Sequence, residues 1–216
     1  MRRLPGWRQR QVLMDRHRVA RTLARMAAEI TERHPEVAEA VLVGVQTRGV
    51  PLARRLGSLL GARGASGPPV GTLDITLYRD DLTTIAAQPV LKGTDIPVSI
   101  DGRTVVLVDD VLYTGRTVRA ALDELVDFGR PSRIELAVLV DRGHRELPIQ
   151  ADYVGESCAS EREQTVQVLL EEEDGEDRVL LLERQQPPAR RRGAGPGGPA
   201  RRKGAVRPTP RPRRKP

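Results

Sequence analysis

The chain has 216 residues, 38% of them hydrophobic, enough for one α/β domain with appendages and no reason to expect two large domains. Its net charge of +7 is unevenly placed: eleven of the 36 Lys and Arg and none of the 29 Asp and Glu fall between Gln185 and Pro216, leaving 25 cations against 29 anions elsewhere, so the body as a whole is not a basic nucleic-acid surface. No apolar run approaches the roughly 18 residues that cross a bilayer, the Arg-rich start lacks the apolar core of a secretion signal, and the single Cys158 excludes an intrachain disulfide or a cysteine metal cluster; a cytoplasmic protein with no membrane partner is expected.

Residues 1–11 read as a basic N-terminal extension, 12–184 as the folded domain and 185–216 as a tail. Val19, Leu23, Met26, Ala27 and Ile30 share one helical face, and Pro35 follows the end of that helix. The chain before Val41 reads as this one helix, too little for a helix-turn-helix DNA-binding domain. Val41 to Val45 is a continuous apolar run, as in a parallel strand covered on both faces, and Leu52, Leu56, Leu59 and Leu60 then mark a helix. Val70 to Leu77 reads as a strand, followed by a polar stretch from Arg79 to Pro97 without periodicity. Loops of that length are usually functional.

Thr104 to Val108 is a β-branched strand, and Val118, Ala121, Leu122, Leu125 and Val126 form a helical stripe ending near Gly129 and Pro131. Ile134 to Val140 is one more strand. This alternation predicts an α/β fold with a mostly parallel, doubly wound sheet. Thr165 to Leu170 and Arg178 to Leu182 flank Glu171 to Asp177 as a terminal hairpin. The tail has eight Pro and five Gly and almost no large apolar side chains, and is expected to be disordered.

The segment Val106-Leu-Val-Asp-Asp-Val-Leu-Tyr-Thr-Gly-Arg-Thr117 is a strand, a loop and a helix start. Ligands collect at the carboxyl edge of a parallel sheet, where the following helix presents unpaired N–H groups and the positive end of its dipole. Thr114 and Thr117 add hydroxyl donors, and Gly115 lets the backbone of Val111, Leu112, Tyr113 and Arg116 close around a phosphate. Asp109 and Asp110 suit ribose hydroxyls or a hydrated Mg²⁺. Thr47-Arg48-Gly49, again between a strand and a helix, offers backbone amides and a forked guanidinium to a pyrophosphate. Asp141-Arg142-Gly143-His144 follows the next strand on the same edge; Arg142 is placed to meet a ligand or to pair with Asp141, and a lone His144 gives no reason for proton transfer.

The Val106 to Thr117 segment resembles the phosphoribosyl pyrophosphate (PRPP) signature of type I phosphoribosyltransferases. From about Val12 to Glu183 the chain resembles one branch, the bifunctional pyrimidine-operon regulator and uracil phosphoribosyltransferase family, PyrR. Val43 to Gly49, Asp74 to Asp81, Lys92 to Val98 and Val140 to Pro148 carry that closer match, in order. The resemblance implies the type I fold with a small hood, Mg²⁺, and conversion of uracil and PRPP to UMP. It makes Thr47 to Gly49 the pyrophosphate loop, Tyr78, Arg79, Asp80 and Asp81 the opening of a lid over PRPP, and Asp141 to His144 part of the base pocket.

It also implies UMP-dependent binding to a pyrimidine-operon mRNA leader and a homo-oligomer, a dimer or larger. Arg25, Arg33 and Arg145 match the RNA-facing positions, whereas Ala24 and Ala28 replace Thr and His there and Gln150 and Glu156 replace basic residues. Such losses of charge lower phosphate affinity. An enzyme acting on another base such as hypoxanthine, and an RNA regulator with little catalysis, stay open as alternatives.

Overall fold

The computed structural model describes residues 4–62, 67–76 and 93–185. Among the described residues eight strands and four α-helices follow in chain order: β1 Trp7–Met14, α1 Arg16–Arg33, β2 Val41–Val45, α2 Gly49–Gly61, β3 Val70–Leu73, β4 Thr104–Leu112, α3 Arg116–Phe128, β5 Arg133–Asp141, β6 Tyr153–Ser157, β7 Gln164–Leu169, α4 Glu171–Asp174 and β8 Arg178–Arg184. β3, β2, β4, β5 and β6 form a sheet in that order, every pair parallel. β1, β8 and β7 form a separate antiparallel sheet, the hood.

Strand alternation sorts the core into two layers. Leu42, Val106, Val108, Ala137 and Leu139 turn to one face and pack with Val19, Leu23, Met26 and Ile30 of α1 and Leu52, Leu56 and Leu60 of α2. Val43, Val105, Leu107, Leu136 and Val138 turn to the other and pack with Val118, Ala121 and Leu125 of α3 and with Ile100. The helix over 16–33 starts where Asp15 accepts a hydrogen bond from the Arg18 N–H at 2.7 Å, a side-chain cap. In the hood, Val179 and Leu181 join the first layer while Leu180 and Leu182 pack against Trp7.

The structure departs from the sequence reading in five places. Residues 7–11, read as an extension, belong to β1, which pairs Trp7 with Arg184 and Met14 with Val179. Five successive side chains of this strand are exposed, so no buried face repeats every second residue to announce it. β3 ends at Leu73 rather than Leu77, and β4 runs on to Leu112, which takes Asp109 and Asp110 into the strand. β6, an edge strand held to β5, was not expected at all. Between β7 and β8 the predicted hairpin turn contains the short helix α4.

Candidate active site

β2, β4 and β5 end side by side, so the three segments singled out in the sequence meet at one sheet edge. Asp109, near the end of β4, is buried, and its Oδ1 accepts the Asp110 N–H at 2.9 Å. Burial pushes the Asp110 carboxyl above its ordinary pKa, against the nearby Arg48 guanidinium, which favours the anion. Gly115 follows at φ +92°, a left-handed conformation that suits glycine, and serves as N-cap of α3. No acidic residue lies in the first turn of α3, which keeps its positive end available to an anion.

The turn between β4 and α3 is held from the β5 side. The Thr114 carbonyl accepts the N–H groups of Glu146 at 2.9 Å and Leu147 at 3.1 Å, and the Leu112 carbonyl accepts the Arg142 N–H at 3.1 Å. Val111 pairs with Val140 in the sheet. These bonds hold the end of β4 and the turn into α3 against the segment that follows β5.

On the neighbouring strand, the Gln46–Thr47 peptide is cis and Gly49 opens α2. A Cβ on Gly49 would lie 2.3 Å from the Val108 carbonyl oxygen, so only glycine lets this loop lie against β4. Arg48, the N-cap of α2, directs Nε and Nη2 to the two carboxylate oxygens of Asp174, at 3.1 and 2.9 Å. That bond raises the guanidinium pKa further. Arg55, two helical turns on, forks to Asp177 through Nη1 and Nη2 at 2.9 and 2.7 Å, and to Glu172 through Nε and Nη2 at 2.8 and 2.6 Å. The hood is thus pinned to one face of α2 by three forked pairs, one from Arg48 and two from Arg55.

After β5, Arg142 is 4% exposed. It donates to Ser160 Oγ at 3.2 Å and to the Glu161 carbonyl at 3.0 Å, and its guanidinium carbon stands 3.9 Å from the Tyr113 ring centroid. Such stacking offsets part of the desolvation that lowers its pKa. The Asp141 salt bridge considered for Arg142 belongs instead to Arg145, whose Nη2 lies 2.6 Å from Asp141 Oδ2. Gly143 N–H donates to Asp141 Oδ1 at 2.9 Å. His144, at φ 60°, spends Nε2–H on the Ser160 carbonyl at 2.6 Å and meets Tyr113 edge-on. That bond fixes the ring against the segment that follows β6.

Sequence reasoning missed Ser160, Glu161 and Asp174 as partners of this edge. Each lies in sequence far from the strand ends, and no spacing rule connects it to them. Tyr78, Arg79, Asp80 and Asp81, the predicted opening of the lid, lie outside the described residues, as does Lys92.

The family model of the phosphoribosyl transferase domain matches residues 11–173. The bifunctional protein PyrR of Pelotomaculum thermopropionicum is 55% identical over 172 residues, covering 80% of this chain and 95% of that protein. The chain belongs to the PyrR family of phosphoribosyltransferases. Its Bacillus cereus relative of the same name is 54% identical over 173 residues, with 79% of this chain and 96% of that protein covered. The family fold recurs in solved structures of low identity. A Staphylococcus aureus hypoxanthine phosphoribosyltransferase aligns with a TM-score of 0.59 at 18% identity, covering 83% of this chain and 94% of that one. A Trypanosoma cruzi hypoxanthine phosphoribosyltransferase gives 0.61 at 21%, covering 80% and 95%.

Proposed function

We propose that this protein transfers the phosphoribosyl group of PRPP to uracil, giving UMP and pyrophosphate, and that it regulates pyrimidine genes by UMP-dependent binding to an mRNA leader. The observation that supports the chemistry best is the convergence of Asp109 and Asp110, the Val111 to Thr117 turn and the Thr47 to Gly49 loop on one sheet edge. Membership of the PyrR family favours uracil over hypoxanthine; the hypoxanthine enzymes share the fold at about one residue in five.

In this proposal the 5-phosphate sits at the start of α3, cradled by backbone N–H groups and the Thr114 and Thr117 hydroxyls. The Thr47 to Gly49 loop receives the pyrophosphate. The bond from uracil N1 to the ribose anomeric carbon forms as the bond from that carbon to the pyrophosphate oxygen breaks, and the N1 proton passes to the pyrophosphate or to water. Asp109 and Asp110 orient the ribose hydroxyls and lie near the positive charge that builds up on the sugar. The reaction asks for no nucleophilic side chain, and the protein's contribution is placement and field. Arg142, held by Tyr113, Ser160 and Glu161, supports the wall of the base pocket.

An adjacent pair of carboxylates fits Mg²⁺, which keeps several waters and takes its remaining oxygens from the substrate. Among the described residues no group of three or more His, Cys, Asp or Glu could hold a metal. Asp109 and Asp110 would therefore share the ion with PRPP, and its charge would ease departure of the pyrophosphate.

Steady-state assays with PRPP, Mg²⁺ and a panel of bases test the assignment. UMP should form from uracil while hypoxanthine gives no nucleotide. Equal rates for the two bases would remove the pyrimidine assignment.

For the RNA face, the side-chain contacts narrow the choice of residues. Arg145 is committed inside the fold, to Asp141 and to the carbonyls of Ile149 and Tyr113. Arg25 donates to the carbonyls of Val154 and Gly155 and pairs with Glu29, yet its side chain is 47% exposed. Arg33 stacks 4.8 Å from the Tyr153 ring centroid, with 53% of its side chain exposed. Arg18 pairs with Glu156, so the substitution at that position also ties up a neighbouring cation. Arg25 and Arg33 are the better candidates for phosphate contacts, and the protein is proposed to act in the cytoplasm as a dimer or larger assembly.

A chain ending at Gln185 separates specific recognition from bulk charge. Gln185 N–H still donates to the Gly6 carbonyl at 2.9 Å, which closes the hood sheet, so melting temperature and UMP formation should stay unchanged. RNA affinity should fall, and the slope of log affinity against log salt should become shallower, because eleven cations no longer displace counterions. Preference for a pyrimidine leader over a scrambled RNA should survive and increase with UMP. No preference in the presence of UMP would show that the departures at Ala24, Ala28, Gln150 and Glu156 had removed the regulatory site.

A further inference from the structure

Arg48 stands between two carboxylates. On the hood side Asp174 takes its Nε and Nη2 in a fork, and on the sheet side the charge of Asp110 is close enough to stabilise its protonated form. The acceptor is itself immobilised: Asp174 Oδ2 also receives the Leu170 N–H at 3.1 Å, and the side chain is 9% exposed. A carboxylate fixed by its own backbone bond is an organised anchor rather than a group waiting to be displaced.

We infer that Asp174 is a positioning residue for the pyrophosphate loop: its fork with Arg48 holds the first residues of α2, and with them the Thr47 to Gly49 backbone, in the shape that receives PRPP. The inference rests on the proposed transferase reading. The pair employs Nε and Nη2, so Nη1 still has the geometry to meet a phosphate oxygen while the fork stays closed. The second fork, Arg55 with Asp177, sits two turns farther along the same helix and away from the loop. The forks therefore divide their work: those of Arg55 secure the hood, and that of Arg48 sets the loop.

Asp174→Asn and Asp177→Asn in the full-length protein separate the two roles. PRPP binding with Mg²⁺ is measured by calorimetry, alongside UMP kinetics and melting temperature. Asp174→Asn should weaken PRPP at least about tenfold, in affinity and in KM, with kcat at saturating PRPP and the KM for uracil within about twofold of wild type. Asp177→Asn should lower the melting temperature and leave PRPP affinity within about twofold. Unchanged PRPP affinity in Asp174→Asn, with wild type binding normally, overturns the positioning role alone, and tighter binding would recast the carboxylate as a competitor. A wild-type protein that binds no PRPP would overturn the transferase reading and this inference with it. Should Asp174→Asn not fold, the wild type decides by NMR. The Arg48 Nε proton should stay protected through a PRPP titration, and its loss at saturation would mean that the guanidinium leaves Asp174.

Discussion

Asp110→Asn is expected to lower kcat/KM for UMP formation at least about tenfold, equivalent to about 1.4 kcal/mol of transition-state stabilisation, in a protein that still folds. The amide keeps the shape of the side chain at the end of β4 and removes its charge, which is needed opposite the cationic sugar. Folding should tolerate the change. Burial already disfavours the Asp110 anion, so its folded pKa is raised. A carboxyl of that kind contributes less stability as pH rises through the folded value, and a neutral isostere escapes the loss. The same shift gives a pH signature: wild-type kcat/KM should fall on the acid side with a midpoint above the usual carboxylate range, and that limb should vanish in Asp110→Asn. Arg48→Ala should match the loss of turnover but also lower the melting temperature, because it opens the fork to Asp174. Near wild-type UMP formation by either variant would take that residue out of the mechanism.

Gly49→Ala should be the most damaging single-methyl change in the molecule's active edge. The added Cβ would sit 2.3 Å from the Val108 carbonyl oxygen and 3.3 Å from Asp109 Cα, both backbone atoms of the central strand. Neither can swing aside as a side chain would. Relief requires the Thr47 to Gly49 loop and the start of α2 to move away from β4, which separates the pyrophosphate loop from Asp109 and Asp110. Overpacking of this kind costs about 3 kcal/mol, a drop of about 9 °C in melting temperature for a domain of this size. Activity should fall further than stability, by at least about a hundredfold, because a displacement on the order of 1 Å is enough to spoil reaction geometry. Gly57→Ala, in the same helix, is the comparison: its Cβ would meet the Val70 side chain at 2.8 Å, and a methyl group can rotate or shift. Calorimetry and UMP kinetics on the pair would sink the argument if Gly49→Ala behaved like Gly57→Ala.

Four of the five strands of the central sheet, all but β6, and the three segments along its carboxyl edge were legible in the sequence, since each signal is local. A continuous apolar run such as Val41 to Val45 has no polar side chain to show water, so it reads as a covered strand. The stripes of α1 and α3 repeat at helical spacing because one side of each helix is buried. The Asp109 to Thr117 chemistry survived as a motif because strand end, turn and helix start are contiguous, and a phosphate can be cradled by one short piece of chain. The transferase family could be read from those blocks.

Other features became visible only when distant parts of the chain met. β1 is a strand because β8 supplies its hydrogen bonds from the far end of the domain. Arg142 and Arg145 are three residues apart in sequence, yet one is stacked on Tyr113 and the other is tied to Asp141; which guanidinium went where depended on the Ser160 and Glu161 loop arriving over Arg142. Arg48 was read from the sequence as a pyrophosphate ligand, and its engagement with Asp174 emerged only in the folded hood. Local pattern determined most of the strands and helices and the turn between β4 and α3, because backbone geometry and burial act over a few residues. Tertiary structure decided which cations are already paired, because an ion pair is set by distance in space, and Arg48 and Asp174 stand 126 residues apart in sequence.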